Sequence, residues 1–131
     1  MFKNILLALL IISPVAANAE WEFYSQDSER FYYFNKDTVK VTNQYTKEIS
    51  YWTKSIYHSD LQKDSIAVND YYLTLYYGNC SDETLATKSL ALYNKNGELR
   101  FQQTVPTEFK PVIPDSRGEL LLRELCSYTF S

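Results

Sequence analysis

The chain has 131 residues, with 13 basic against 16 acidic side chains and a formal net charge of −3. That length suits one domain, and no linker or internal repeat divides it. The acidic balance argues against nucleic acid or an anionic membrane as the main partner, because both need a clustered positive surface.

The first predicted element is an export signal over residues 1–19. Lys3 supplies an early positive charge, and Ile5 to Ile12 form a short apolar run that Pro14 ends. Ala17-Asn18-Ala19 fits the small-x-small pattern of a cleavage site. A membrane anchor is disfavoured: eight apolar residues reach about 12 Å as a helix, against roughly 30 Å of hydrocarbon. Cleavage after Ala19 leaves a domain over residues 20–131 with no transmembrane segment. It removes one positive charge, and the new start carries no cysteine for a lipid anchor. The expected location is the periplasm or the cell surface, both oxidising.

Downstream, aromatic and β-branched residues dominate, and all 12 tyrosines follow the signal. Trp21 to Tyr24 reads as a strand, Arg30 to Asn35 as a second, and Val39 to Val41 as a third. Lys36-Asp37-Thr38 makes the turn between the last two. Glu48 to Tyr57 is a long strand. Ile49, Tyr51, Thr53, Ser55 and Tyr57 share one face, and Trp52 and Ile56 the other. Both faces carry aromatics, so alternation alone does not say which is buried. Ser59 to Asn69, with Asp60, Lys63 and Asp64, reads as a polar surface connection.

Tyr71 to Tyr77 is the strongest strand signal and ends at Gly78-Asn79, just before Cys80. Its alternation puts Tyr71 and Tyr72 on opposite faces. Leu85 to Asn94 and Leu99 to Val105 flank Lys95-Asn96-Gly97, a hairpin in which Asn-Gly is expected to supply left-handed residues. Pro106, Pro111 and Pro114 mark an extended segment with Phe109 and Lys110. The last element is a helix. Ser116 and Glu119 have the spacing of a capping box, and Leu121, Leu125 and Tyr128, with Leu122 and Cys126 alongside, form one apolar stripe. The predicted fold is α+β: an antiparallel meander of about six strands with one C-terminal helix packed on one face.

Two cysteines in an exported chain pair most simply with each other, so Cys80 and Cys126 are expected to form one disulfide. It would staple the helix to the end of the Tyr71–Tyr77 strand.

Catalytic signals are sparse. His58 is the sole histidine, and no nucleophile-elbow motif accompanies it. No metal-ligand spacing occurs, and three glycines build no phosphate loop. The carboxylate pairs Asp60/Asp64, Asp82/Glu83 and Asp115/Glu119 read as solvated turns or a helix start. The expectation is a non-enzymatic chain without cofactor or metal. Tyrosine is the residue to weigh for binding, because it offers contact area at low entropic cost. Tyr71 or Tyr72, whichever faces outward, is the candidate contact, together with Phe109 and Lys110 in the Thr107–Ile113 loop.

The order of these signals resembles the bacterial surface-adhesin protein E family. The residues that carry the resemblance are Trp21, Phe31-Tyr32-Tyr33, Asp37, Tyr51-Trp52, Cys80 and Gly97. Pro114-Asp115-Ser116-Arg117-Gly118-Glu119 follows, then Leu121 through to Cys126. Two departures stand out: Ser81-Asp82-Glu83 replaces basic residues, and Lys110-Pro111-Val112-Ile113 replaces an aromatic. The resemblance implies a sheet packed with a C-terminal helix and a disulfide. It also implies a protein partner, in particular a host extracellular-matrix protein. Two other classes compete. One is an inhibitor or accessory protein of a cell-envelope enzyme, which inserts a rigid Thr107–Ile113 loop. The other is a small-ligand binder with a closed tyrosine-lined pocket. An exposed aromatic sheet face favours adhesion or a homodimer.

Overall fold

The computed structural model describes residues 20–59 and 65–130. The export segment, its cleavage site and residues 60–64 of the polar connection lie outside the described residues.

Eight strands form one antiparallel sheet. They are β1 (Glu22–Gln26), β2 (Arg30–Phe34), β3 (Lys40–Asn43), β4 (Glu48–Tyr57), β5 (Tyr71–Asn79), β6 (Thr84–Tyr93), β7 (Leu99–Thr104) and β8 (Lys110–Pro111). The spatial order is β1-β2-β4-β5-β6-β7, with β3 beside β4 and β8 beside β6. The sheet therefore has two strands more than the meander of about six expected; β3 answers to the strand expected at Val39 to Val41, β8 was not expected, and strand length explains where both fit. β4 and β6 outrun their outer neighbours. β2 covers Thr53–Tyr57 of β4, and β3 takes up Glu48–Ser50 along the same edge. β7 covers Ser89–Tyr93 of β6, and the two-residue β8 takes up Thr84 and Leu85. A 3-10 turn at Lys36–Thr38 links β2 to β3, capped by the Asn35 side chain, which accepts from the Asp37 N–H at 2.9 Å.

The β6–β7 hairpin differs in detail from its Asn-Gly signature. Gly97 alone is left-handed, at φ 85°, and Asn96 is not. The Asn94 side chain accepts from the N–H groups of Asn96 and Glu98, and the Gly97 N–H returns to the Asn94 carbonyl. This longer loop closes with one glycine in place of two left-handed residues.

Helix α1 (Arg117–Phe130) starts at the expected cap. The Glu119 N–H donates to Ser116 Oγ at 3.2 Å, and Glu119 Oε1 accepts from the Asp115 N–H at 2.8 Å, one residue before the usual partner. Ser116→Ala is expected to cost about 1 kcal/mol, read as a lower midpoint in two-state unfolding.

Leu121, Leu122 and Leu125 pack on Phe34, Ile49 and Tyr51 to make the core, so the Ile49/Tyr51 face of β4 is the buried one. Tyr128 does not join this stripe. It is 54 % exposed, with the Lys36 ammonium 5.0 Å from its ring centroid. The same turn still reaches the core through Phe130, so it is the Tyr128 side chain alone that departs from the stripe. Gly78 lies under the helix, where a Cβ would collide with Leu122 Cδ1. Cys80, one residue past β5, is bonded to Cys126 in the helix.

Candidate functional site

The helix covers only the end of the sheet that carries Ile49, Tyr51 and Gly78. Two surfaces remain open, one on each side.

The side away from the helix is a broad aromatic face. Strand alternation places Tyr71, Leu73, Leu75 and Tyr77 of β5 on it, beside Trp52, Lys54 and Ile56 of β4. Tyr71 stacks on Tyr93, centroids 5.2 Å apart and planes 11° from parallel. The Lys54 ammonium sits 4.5 Å from the Tyr71 ring centroid and 5.6 Å from that of Trp21. Partial burial pushes the Lys54 pKa down from its ordinary value. A β-bulge between Leu75 and Tyr76 inserts Lys88, whose ammonium lies 5.1 Å from the Tyr77 ring and 5.7 Å from the Phe109 ring. Tyr71 and Phe109 thus belong to one aromatic surface studded with ammonium groups. Lys110, in β8, pairs with Leu85 and is exposed.

Tyr72 goes to the opposite side, where it meets Tyr57 at 6.2 Å. The Thr107–Ile113 segment does not stand off the molecule. Thr107 N–H donates to the Thr87 carbonyl, Thr87 N–H donates to Thr107 Oγ1, and Val112 N–H donates to the Glu83 carbonyl. Those bonds lay the segment along β6, so it is not the projecting loop that a cleft-inserting inhibitor uses.

On the helix side, the part of the sheet that the helix does not reach becomes the floor of a cavity of about 550 Å³. Short hydroxyl side chains, Thr53 and Ser55 of β4, Thr74 of β5 and Thr87 of β6, line it. Six of the twelve tyrosines line it as well. Burial raises the phenol pKa values of Tyr51, Tyr24 and Tyr76 well above the ordinary range, and Tyr76 adds to the shift at Tyr51 and Tyr24. These phenols keep their protons and remain donors.

Two arginines complete the lining, and no carboxylate does. Arg30 opens β2 and lies over the rings of Tyr32 and Tyr57, at 5.2 and 5.3 Å. Arg117 opens the helix and also lies over the Tyr32 ring, its guanidinium carbon 3.9 Å from the centroid. Asp27, in the β1–β2 turn, holds this group in place. Its Oδ1 accepts from the N–H groups of Glu29 and Arg30, and its Oδ2 from the Tyr32 hydroxyl at 2.6 Å. Arg117 Nη2 reaches the same Oδ2 at 3.4 Å. Desolvation works to raise the Asp27 pKa. The Tyr32 hydroxyl, the two backbone N–H groups and the Arg30 charge outweigh it and hold the pKa at about 2.

Sequence reasoning passed over Arg30, Arg117 and Asp27. One signal was present: a cation in the first turn of a helix opposes the helix dipole, so Arg117 is out of place unless another group holds it there. His58 is engaged structurally. Its Nε2 meets the Asp27 carbonyl at 3.0 Å and its Nδ1 meets Ser59 Oγ at 3.3 Å.

Among the described residues no helix is long and apolar enough to cross a membrane. Neither the curated proteins nor the solved structures compared with this chain gave a match. The family model of surface-adhesin protein E matches residues 21–127. That span runs from Trp21 beside Lys54 to the residue after Cys126, so it takes in the sheet, the aromatic face, the arginine-lined cavity and most of the disulfide-tied helix, and the chain belongs to the surface-adhesin protein E family.

Proposed function

We propose that the protein is an exported, non-enzymatic binding module whose uncovered sheet face docks on a protein partner, with host extracellular-matrix proteins the first class to test. The observation that supports this most is the face itself. Tyr71, Trp52, Tyr77 and Phe109 present aromatic area on the side opposite the helix. Aromatic side chains of this kind dominate binding energy at protein interfaces. Lys54 and Lys88 add positive charge over the rings, which suits an acidic partner segment. The family supports an adhesin-like module at the cell surface.

Tyr71→Ser is expected to weaken such binding by about 1–2 kcal/mol. Tyr72→Ser, on the other side of the sheet, is expected to leave it intact. Surface plasmon resonance against a panel of purified matrix proteins, beside a melting curve for each variant, reads both. Unchanged binding by a folded Tyr71→Ser protein would move the contact off this face.

A further inference from the structure

We propose that the cavity between helix α1 and strands β1, β2, β4, β5 and β6 is a second binding site, taking a small sugar acid: a hydroxylated ring that bears a carboxylate. This site is separate from the aromatic face and does not depend on it.

Charge comes first. The chain as a whole is acidic, yet this cavity is lined by two guanidinium groups and no carboxylate. Asp27, just outside the lining, bonds Arg117 through one nitrogen, and among the described residues no carboxylate lies within 4 Å of the Arg30 guanidinium. Arg30 lies over the rings of Tyr32 and Tyr57, and Arg117 over the ring of Tyr32 in addition to its Asp27 contact. Ring faces satisfy charge but leave N–H edges without acceptors. The Nε atoms of both Arg30 and Arg117 are in fact buried without a hydrogen-bond partner. An unpaired buried N–H on a charged group is costly, and a carboxylate in the cavity adds compensating negative charge beside both guanidinium groups without having to reach the closed Nε atoms. The first turn of α1 faces the same space through Arg117 and Gly118, so the positive end of the helix dipole adds to the field.

Hydroxyl chemistry then narrows the class. The floor is Thr53, Ser55, Thr74 and Thr87, each able to donate and accept. The walls are tyrosine rings whose hydroxyls stay protonated. A sugar ring offers the complement: equatorial hydroxyls for the floor and C–H faces for the rings. A cavity of about 550 Å³ lies within the ordinary range for small-molecule sites. A bare phosphate leaves most of these groups unused, and a purely aromatic acid leaves the hydroxyl floor unpaired.

The test uses the purified, disulfide-intact protein and three probes: D-glucuronate, D-glucose and acetate. Glucose keeps the ring without the carboxylate, and acetate keeps the carboxylate without the ring. Each is titrated to about 10 mM by NMR, following tyrosine ring signals, a range that captures affinities near millimolar. Glucuronate is expected to saturate, with glucose and acetate each at least about tenfold weaker. Arg30→Gln is expected to weaken glucuronate binding at least about tenfold while Tyr71→Ser leaves it unchanged. If Arg30→Gln melts early, the three-probe comparison on the unaltered protein still decides. Absence of saturation by glucuronate overturns the site, acetate binding as tightly as glucuronate overturns the sugar class, and full binding by a folded Arg30→Gln protein overturns the arginine's role. Glucuronate binding lost in Tyr71→Ser but kept in Arg30→Gln would place the ligand on the other face and overturn the assignment.

Discussion

Replacing Cys80 and Cys126 together by alanine is expected to lower stability by about 2–5 kcal/mol. The bridge spans 46 residues, from the end of β5 across β6, β7 and β8 to the middle of α1. On the chain-entropy account a loop of that length is worth about 4 kcal/mol, because the unbridged unfolded chain gains freedom. Domains of this size hold roughly 5–15 kcal/mol in all, so the loss is a large share. The location adds a native-state consequence. Both half-cystines pack against the cluster formed by Phe34, Ile49, Tyr51 and the helix leucines. The Cys80 N–H donates to the Lys47 carbonyl at 2.9 Å, so the bridge also ties the β3–β4 turn to the helix. Denaturant unfolding of the oxidised protein, the reduced protein and the double variant reads the effect. The reduced and double-alanine forms are expected to unfold at similar, lower midpoints. A double variant with the midpoint of the oxidised protein would show that the helix is seated without the bridge.

The strands and the bridge were legible because their signals are local or exhaustive. Alternation marks β4 and β5 directly, and two cysteines leave one intramolecular pairing. The capping residues Ser116 and Glu119 mark the helix start for the same reason. What was not legible depends on registry between distant strands. β8 is two residues long and exists only because β6 extends past β7, which no window of sequence around Lys110 contains. Tyr128 has the period of the helix stripe but is exposed, while Phe130, two residues on, packs against the core in its place.

The candidate sites divide along the same line. Tyr71 and Tyr72 follow from period two, so their opposite facing was predictable. That Tyr71 and Phe109 meet on one surface was not, because the link between them is Lys88, raised by a bulge. The arginine cavity was harder still. Arg30 and Arg117 are far apart in sequence and converge only on the ring of Tyr32, with Asp27 locking all three. Small side chains at Thr53, Ser55 and Thr74 look like ordinary β formers, yet they are what keep that part of the sheet from filling.

Leu125→Ala is expected to cost about 2–5 kcal/mol, the range for truncating a fully buried leucine. Leu125 has 0 % exposure and is one of the six residues of the cluster that joins the helix to β2 and β4. The loss has two sources: the transfer energy of the missing carbons and the cavity they leave. Collapse is restricted on one side by β4, whose Ile49 and Tyr51 are themselves closed to solvent, and on the other by the bridged Cys126 next in sequence. A site that cannot relax sits toward the upper end of the range. Leu120→Ala supplies the comparison on the same helix. Leu120 is 59 % exposed, and its truncation is expected to stay within about 0.5 kcal/mol. Urea unfolding of the two variants separates packing from helix propensity, since alanine favours the helix equally at both positions. Equal losses for Leu125→Ala and Leu120→Ala would mean that the helix does not rest on the sheet through Leu125. A large loss confined to Leu125→Ala also has a consequence for the cavity, because the helix whose first turn carries Arg117 is held down by this leucine layer.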